Sequence, residues 1–132
     1  TNIIDYITIA STGSSVSFGS LTESARRGAG VSSPIRAAFG GNSVGPTNTI
    51  SFVIIATLGN AISFGNLTSS RGFVASASSS VRGVFGGGSP TANNIMDYIT
   101  IASTGNALDF GDLSQSRTGM SGASDSHGGI EG

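Results

Sequence analysis

His127 is the single histidine of the chain and sits in the run Ser-Asp-Ser-His-Gly-Gly, two residues after Asp125. A His-Asp pair can move a proton or contribute to a metal site. Such a site takes three or four ligands, however, and the chain has no second histidine and no cysteine. His127 is therefore read as a polar strand or turn residue. Residues 41–45, Gly-Asn-Ser-Val-Gly, fit the G-x-S-x-G spacing that presents a nucleophilic serine on a strand-to-helix elbow. Pro46 and Thr47 lead straight into another extended segment, so the helix that an elbow needs has no room and an inter-strand loop is expected. Asp109 and Asp112, with Asp97 and Asp5, are carboxylates of the kind that serve acid-base chemistry or calcium. An oxygen cage of about six ligands is not in view, and solvated loop carboxylates are the preferred reading.

Four arginines recur in register: Arg36 matches Arg82, and Arg71 matches Arg117, at an interval of 46 residues. Guanidinium groups repeated at one interval suit a structural task between neighbouring units, through an ion pair with Asp5 or Asp97 or through hydrogen bonds to loop carbonyls. The sharper alternative is a ligand-facing ring built from Arg36, Arg82, Arg71 and Arg117, although Gly128 breaks the Arg36 series. Asn66-Leu67-Thr68 is a glycosylation sequon, with Leu67 expected to be buried. Tyr6, Phe52 and Tyr98 share the same interval and either stack on sugars or fill a core; the core reading is preferred.

That interval organises the whole chain. Residues 2–13 read NIIDYITIASTG, residues 48–59 NTISFVIIATLG and residues 94–105 NIMDYITIASTG, the first and third identical at 11 of 12 positions. The same register aligns Phe18, Phe64 and Phe110, and sets PIRAAFGG on SVRGVFGG. The chain is thus expected to form a single repeat domain, residues 1–132, with repeats at about 1–46, 47–92 and 93–132. Each period holds four segments that favour extended backbone, and helical spacing of apolar residues is not sustained anywhere. The strongest is 3–9, repeated at 49–55 and 95–101 and rich in β-branched and aromatic residues. A short strand reaching Phe18 and Leu21 follows a turn at 11–13. A segment of small residues (26–32, 72–78, 118–124) comes next, and then one ending in paired glycines (35–39, 81–85).

Composition agrees with this outline. Charged residues are 10% of the chain, against about 25% in ordinary soluble domains, and there are 21 Gly, 24 Ser and 12 Thr, a mixture suited to strands and tight turns. A net charge of -1 carries no footprint of nucleic-acid binding or of attraction to anionic membranes. No apolar run reaches the roughly 18 residues of a membrane span, and no signal-like segment opens the chain, so membrane insertion is not expected. No cofactor is expected either.

A four-stranded unit of this size cannot bury its own faces and must stack on copies of itself. The period is closer to a propeller blade than to a β-helix coil. The order Arg, small-residue strand, apolar strand ending in Gly-Gly, Tyr-containing strand, aromatic strand and Leu resembles the kelch repeat. From Arg71 the matching residues are Gly86-Gly87, Tyr98, Phe110 and Leu113, with Phe18, Phe64 and Phe110 standing where kelch repeats usually carry Trp. Arrays of this type, rich in Gly, Ser and Thr, resemble those in structural proteins of phages that infect marine bacteria. The resemblance implies an all-β fold of kelch-like propeller blades: two whole blades at 26–67 and 71–113, and one split between 117–131 and 3–21.

Propellers usually have about four to eight blades, so three repeats call for a second copy or a longer array. The function expected is that of a non-enzymatic structural or binding module. It would display loops in a virion or another extracellular assembly, with further copies of itself or other structural proteins as partners. The alternative is a carbohydrate-binding, lectin-like propeller with glycans as partners. An enzyme of the galactose-oxidase-like propeller type is disfavoured by the single histidine and the absence of cysteine.

Overall fold

In the computed structural model the described residues are 1–45, 47–91 and 93–124, and they contain ten strands and no helix. The strands are β1 (Ile3–Tyr6), β2 (Val16–Ser20), β3 (Ala29–Ser32), β4 (Arg36–Gly40), β5 (Thr49–Ile54), β6 (Ile62–Asn66), β7 (Ala75–Ser78), β8 (Arg82–Gly86), β9 (Asn93–Thr100) and β10 (Leu108–Arg117). They form one antiparallel hairpin, β1-β2, and two antiparallel four-stranded meanders, β3-β4-β5-β6 and β7-β8-β9-β10. Each four-stranded sheet therefore joins the last two segments of one period to the first two of the next, β3-β4 with β5-β6 and β7-β8 with β9-β10, whereas the segment 118–124, expected to be extended like its counterparts, forms no strand. The protein is all-β.

The residue types explain the layering. In β5, Ile50 to Val53 are buried in succession, on both faces of the strand, because a central strand with sheets packed on either side has no solvent face. The strands of small residues, β3 and β7, lie at one edge of their sheets and pack against each other. The Ser76 hydroxyl donates across that gap to the Gly30 carbonyl at 2.7 Å. Gly83 of the second sheet has no side chain because Val31 of the first fills the space, its Cγ2 lying 2.4 Å from where a Cβ would stand. The apolar core runs through these joints and includes Val31, Ala38, Ile50, Phe52, Phe64, Leu67, Val74, Phe85, Ile99 and Ile101.

Two elements depart from the expected boundaries. β1 stops at Tyr6 rather than running to Ile9, since among the described residues it is paired on one side only, by β2. β10 extends to Arg117, with Arg117 opposite Asn93 after an irregularity in register. The segment after β10 turns back onto β7, where Gly122 lies against the Ser76 backbone. The stack therefore begins with the hairpin, passes through the first and second sheets, and ends with residues 118–124.

Candidate functional site

The joint between the hairpin and the first sheet and the joint between the two sheets share one set of contacts. Between the hairpin and the first sheet, the Gly59 amide donates to the Phe18 carbonyl at 2.9 Å and the Ala61 amide to the Ser20 carbonyl at 2.8 Å. The Ser20 amide donates to Asn60 Oδ1 at 3.0 Å. Between the first and second sheets, Gly105 donates to Phe64 and Ala107 to Asn66, both at 2.8 Å. The Asn66 amide donates to Asn106 Oδ1 at 3.1 Å. Gly65 lies flat against this contact: a Cβ there would stand 2.1 Å from the Gly105 carbonyl oxygen, and Gly19 meets Gly59 in the same way. Glycine at these positions permits a close backbone approach.

Arg71 and Asp97 fasten the connector between the sheets onto the second sheet. Their Nη2 and Oδ2 atoms are 2.7 Å apart and both side chains are fully buried. The Arg71 Nη1 donates to the carbonyls of Gly87 at 2.6 Å and Ile95 at 2.9 Å, and Nη2 also reaches that of Phe85 at 3.3 Å. Asp97 accepts from the Thr68 amide at 3.0 Å and from its hydroxyl at 2.6 Å. Among the described residues only the Arg71 Nε in this network lacks an acceptor. Arginine suits this place because its planar fork supplies several donors from one buried charge. With no open face, Arg71 has nothing to offer a ligand.

Arg36 does a different job. Its guanidinium lies 4.6 Å from the Phe52 ring centre, and Nη1 crosses to the second sheet to donate to the carbonyls of Ile101 at 3.1 Å and Ala102 at 2.9 Å. Arg82 stacks on Tyr98 in the same manner at 4.8 Å, but it is exposed, and among the described residues its side chain has no hydrogen-bond partner. Arg117 is likewise exposed. The four arginines are thus two equivalent pairs, and in each pair one member is engaged and the other lies open.

The remaining candidates are dispersed. Ser43 sits in a loop pinned by Asn42, which is 3% exposed; Asn42 Oδ1 accepts from the amides of Arg26 and Val44, and Nδ2 donates to Ser24. Asp5, Asp109 and Asp112 are exposed. Leu67 of the sequon is 2% exposed. His127 and Asp125 lie outside the described residues. Among the described residues no three of His, Cys, Asp and Glu stand close enough to hold a metal ion. Among the described residues no helix is long and apolar enough to cross a membrane.

One concave feature repeats. Tyr6, Thr8, Ser11, Gly13 and Ser14 line a hollow of about 110 Å³. Its counterpart at Phe52, Thr57, Gly59 and Asn60 measures about 130 Å³, and that at Tyr98, Thr100, Ser103, Gly105 and Asn106 about 190 Å³. Their aromatic walls pair edge to face with a second ring, Tyr6 with Phe18, Phe52 with Phe64 and Tyr98 with Phe110. No family model and no curated protein matches the chain.

Sequence reasoning did not single out Asn42, Asn60 or Asn106 as structural caps. The repeated Gly-Asn pairs at 59–60 and 105–106 were the available signal. Glu23, which accepts from the Thr47 hydroxyl, has no acidic counterpart in the other repeats.

Proposed function

We propose that the chain is a non-enzymatic structural and binding module whose sheets are blades of a kelch-like β-propeller. Two copies contribute three repeats each to a closed ring, and the outer hairpin loops face the partner. The partners are further copies and other structural proteins of an assembly, with neither nucleic acid nor membrane insertion involved. A virion or another extracellular structure is the setting that the resemblance to phage structural proteins suggests. The observation that carries this reading is the recurrence of one set of inter-sheet hydrogen bonds at an interval of 46 residues, at Phe18-Gly59 and again at Phe64-Gly105. A joint that repeats unchanged can go on repeating until the ring closes. Solution mass by light scattering tests it: a stable two-chain particle is expected, and a monomer at every accessible concentration would overturn it.

A second reading, a lectin-like propeller that binds glycans, is favoured by two of the three equivalent hollows, those at Tyr6 and Tyr98, whose rings are accessible, while Phe52 of the third is buried. Aromatic and hydroxyl side chains meet there, as a shallow sugar site requires. Glycan-array binding that grows with valency would support it; no binding to any glycan would remove it.

A further inference from the structure

The two ends of the stack carry the two halves of one more joint. At the far end, Phe110 is 49% exposed, whereas its equivalent Phe64, covered by the next sheet, is 3% exposed. Gly111, the equivalent of Gly19 and Gly65, faces no neighbouring sheet among the described residues, where a Cβ would touch only Met96, at 3.9 Å. Arg82 extends its guanidinium with no hydrogen-bond acceptor among the described residues. At the near end, Ile9 is 94% exposed, whereas its equivalent Ile101 is fully buried. The Gly13 amide has no backbone acceptor among the described residues, whereas the amides of its equivalents Gly59 and Gly105 donate to Phe18 and Phe64. The acceptors that Arg36 uses, Ile101 and Ala102, correspond here to Ile9 and Ala10.

The charged residues sort in the same way. Where Arg71 and Asp97 pair, the equivalent places beside the first sheet hold Ala25 and Ser51, so both charges are absent together. The remaining equivalents are Arg117 at the far end and Asp5 at the near end, one charge at each end and both exposed. Each end lacks what the other supplies.

We infer that the far end of one copy docks on the near end of a second copy, with Arg117 burying its charge against Asp5 of that copy. This deepens the proposed assembly and rests on it. The contacts follow from the internal joint. Arg117 takes the part of Arg71, and Ser114, standing where Thr68 does, caps the Asp5 carboxylate. Arg82 reaches the Ile9 and Ala10 carbonyls, and the amides at Gly13 and Ser15 donate to the carbonyls of Phe110 and Asp112. Such a contact is head-to-tail, with different surfaces on the two sides, and it closes into a ring when the rotation per unit allows. Two apolar patches, around Phe110 and around Ile7 and Ile9, leave water in the process.

The test is the association constant of the intact chain and four variants, measured by analytical ultracentrifugation, with circular dichroism to check folding. All substituted positions are exposed, so each monomer is expected to keep its fold. Arg117→Ala leaves Asp5 buried without a partner and Asp5→Ser leaves Arg117 so; each weakens association about 100-fold or more. The double variant Asp5→Ser with Arg117→Ala reproduces the Ala25 and Ser51 combination and recovers to within about tenfold of the parent. An equimolar mixture of the two single variants associates better than either alone, because one of its two contacts is Arg117 with Asp5 and the other Ala with Ser. Ile9→Asp, which touches no charge pair, also blocks association. If the parent associates and Arg117→Ala, Asp5→Ser and Ile9→Asp leave the constant unchanged, the docking surface is wrong and the assembly stands. If the parent remains monomeric, both fail.

Discussion

The Arg71 guanidinium and the Asp97 carboxylate meet at 2.7 Å with neither side chain reaching solvent, and the same two positions one repeat earlier hold Ala25 and Ser51. The fold therefore accepts this place either doubly charged or neutral. Removing one charge is the damaging change, because the other then remains buried without compensation.

Arg71→Ala and Asp97→Ser are each expected to lower unfolding free energy by about 3–5 kcal/mol. The double variant should recover a large part of that loss, since it reproduces the neutral combination already packed beside the first sheet. Urea denaturation of the three variants measures the coupling. Simple addition of the two single losses would mean that the pair does not act as a unit.

Close backbone approach makes the second prediction. Gly65→Ala would place a methyl group 2.1 Å from the Gly105 carbonyl oxygen, so the two sheets must separate or shear, at a cost of about 3 kcal/mol or more. Gly13→Ala occupies the equivalent of Gly105, where nothing lies within 4 Å, and the melting temperature of the monomer should hold within about 2 °C of the parent's, an effect well under 1 kcal/mol. Equal effects at the two positions would place the sheet contact elsewhere.

The repeat made most of the strand order legible, because every period carries the same β-branched and aromatic run, and a run such as 49–55 has no other way to bury consecutive apolar residues than in a central strand. What stayed illegible was which copy of each residue would be engaged. Arg36 and Arg82 stand at equivalent sites in near-identical segments, yet only Arg36 finds the carbonyls of a following sheet. Ile9 and Ile101 likewise occupy equivalent positions and differ from 94% to 0% exposure. These differences belong to position in the stack, which a local pattern does not encode. For Asp97 the sequence supports two readings, a solvated carboxylate and an ion-pair partner of the recurring arginines; the pair with Arg71 realises the second, and a separation of 26 residues across a sheet kept the choice of arginine out of the local pattern.

Arg36 and Arg82 give the third prediction. Both stack on an aromatic ring, at 4.6 and 4.8 Å, so alanine removes a similar cation-π contact from each. Only Arg36→Ala also removes hydrogen bonds, to Ile101 and Ala102. Measured at protein concentrations low enough to keep the chain monomeric, Arg36→Ala should cost about 1.5–3 kcal/mol more than Arg82→Ala. Identical losses would mean that the strap to the second sheet adds nothing to stability.

Local stability supplies the fourth. β8 lies between β7 and β9, and β9 between β8 and β10, and the fully buried Phe85 and the nearly buried Ile99 sit on these two strands. β1 is paired only by β2 among the described residues, and three of its four residues are exposed. Amide hydrogen exchange follows such differences, because opening is easiest where few apolar contacts must be given up. In dilute solution the amides of β1 and of residues 7–15 should exchange quickly, while those of β8 and β9 exchange at rates set by global unfolding. Raising the protein concentration should slow exchange at Gly13 and Ser15 first, since their equivalents Gly59, Ala61, Gly105 and Ala107 all donate to the preceding unit. Protection that appears instead at β4 or β6 would place the contact between copies on a different face of the stack.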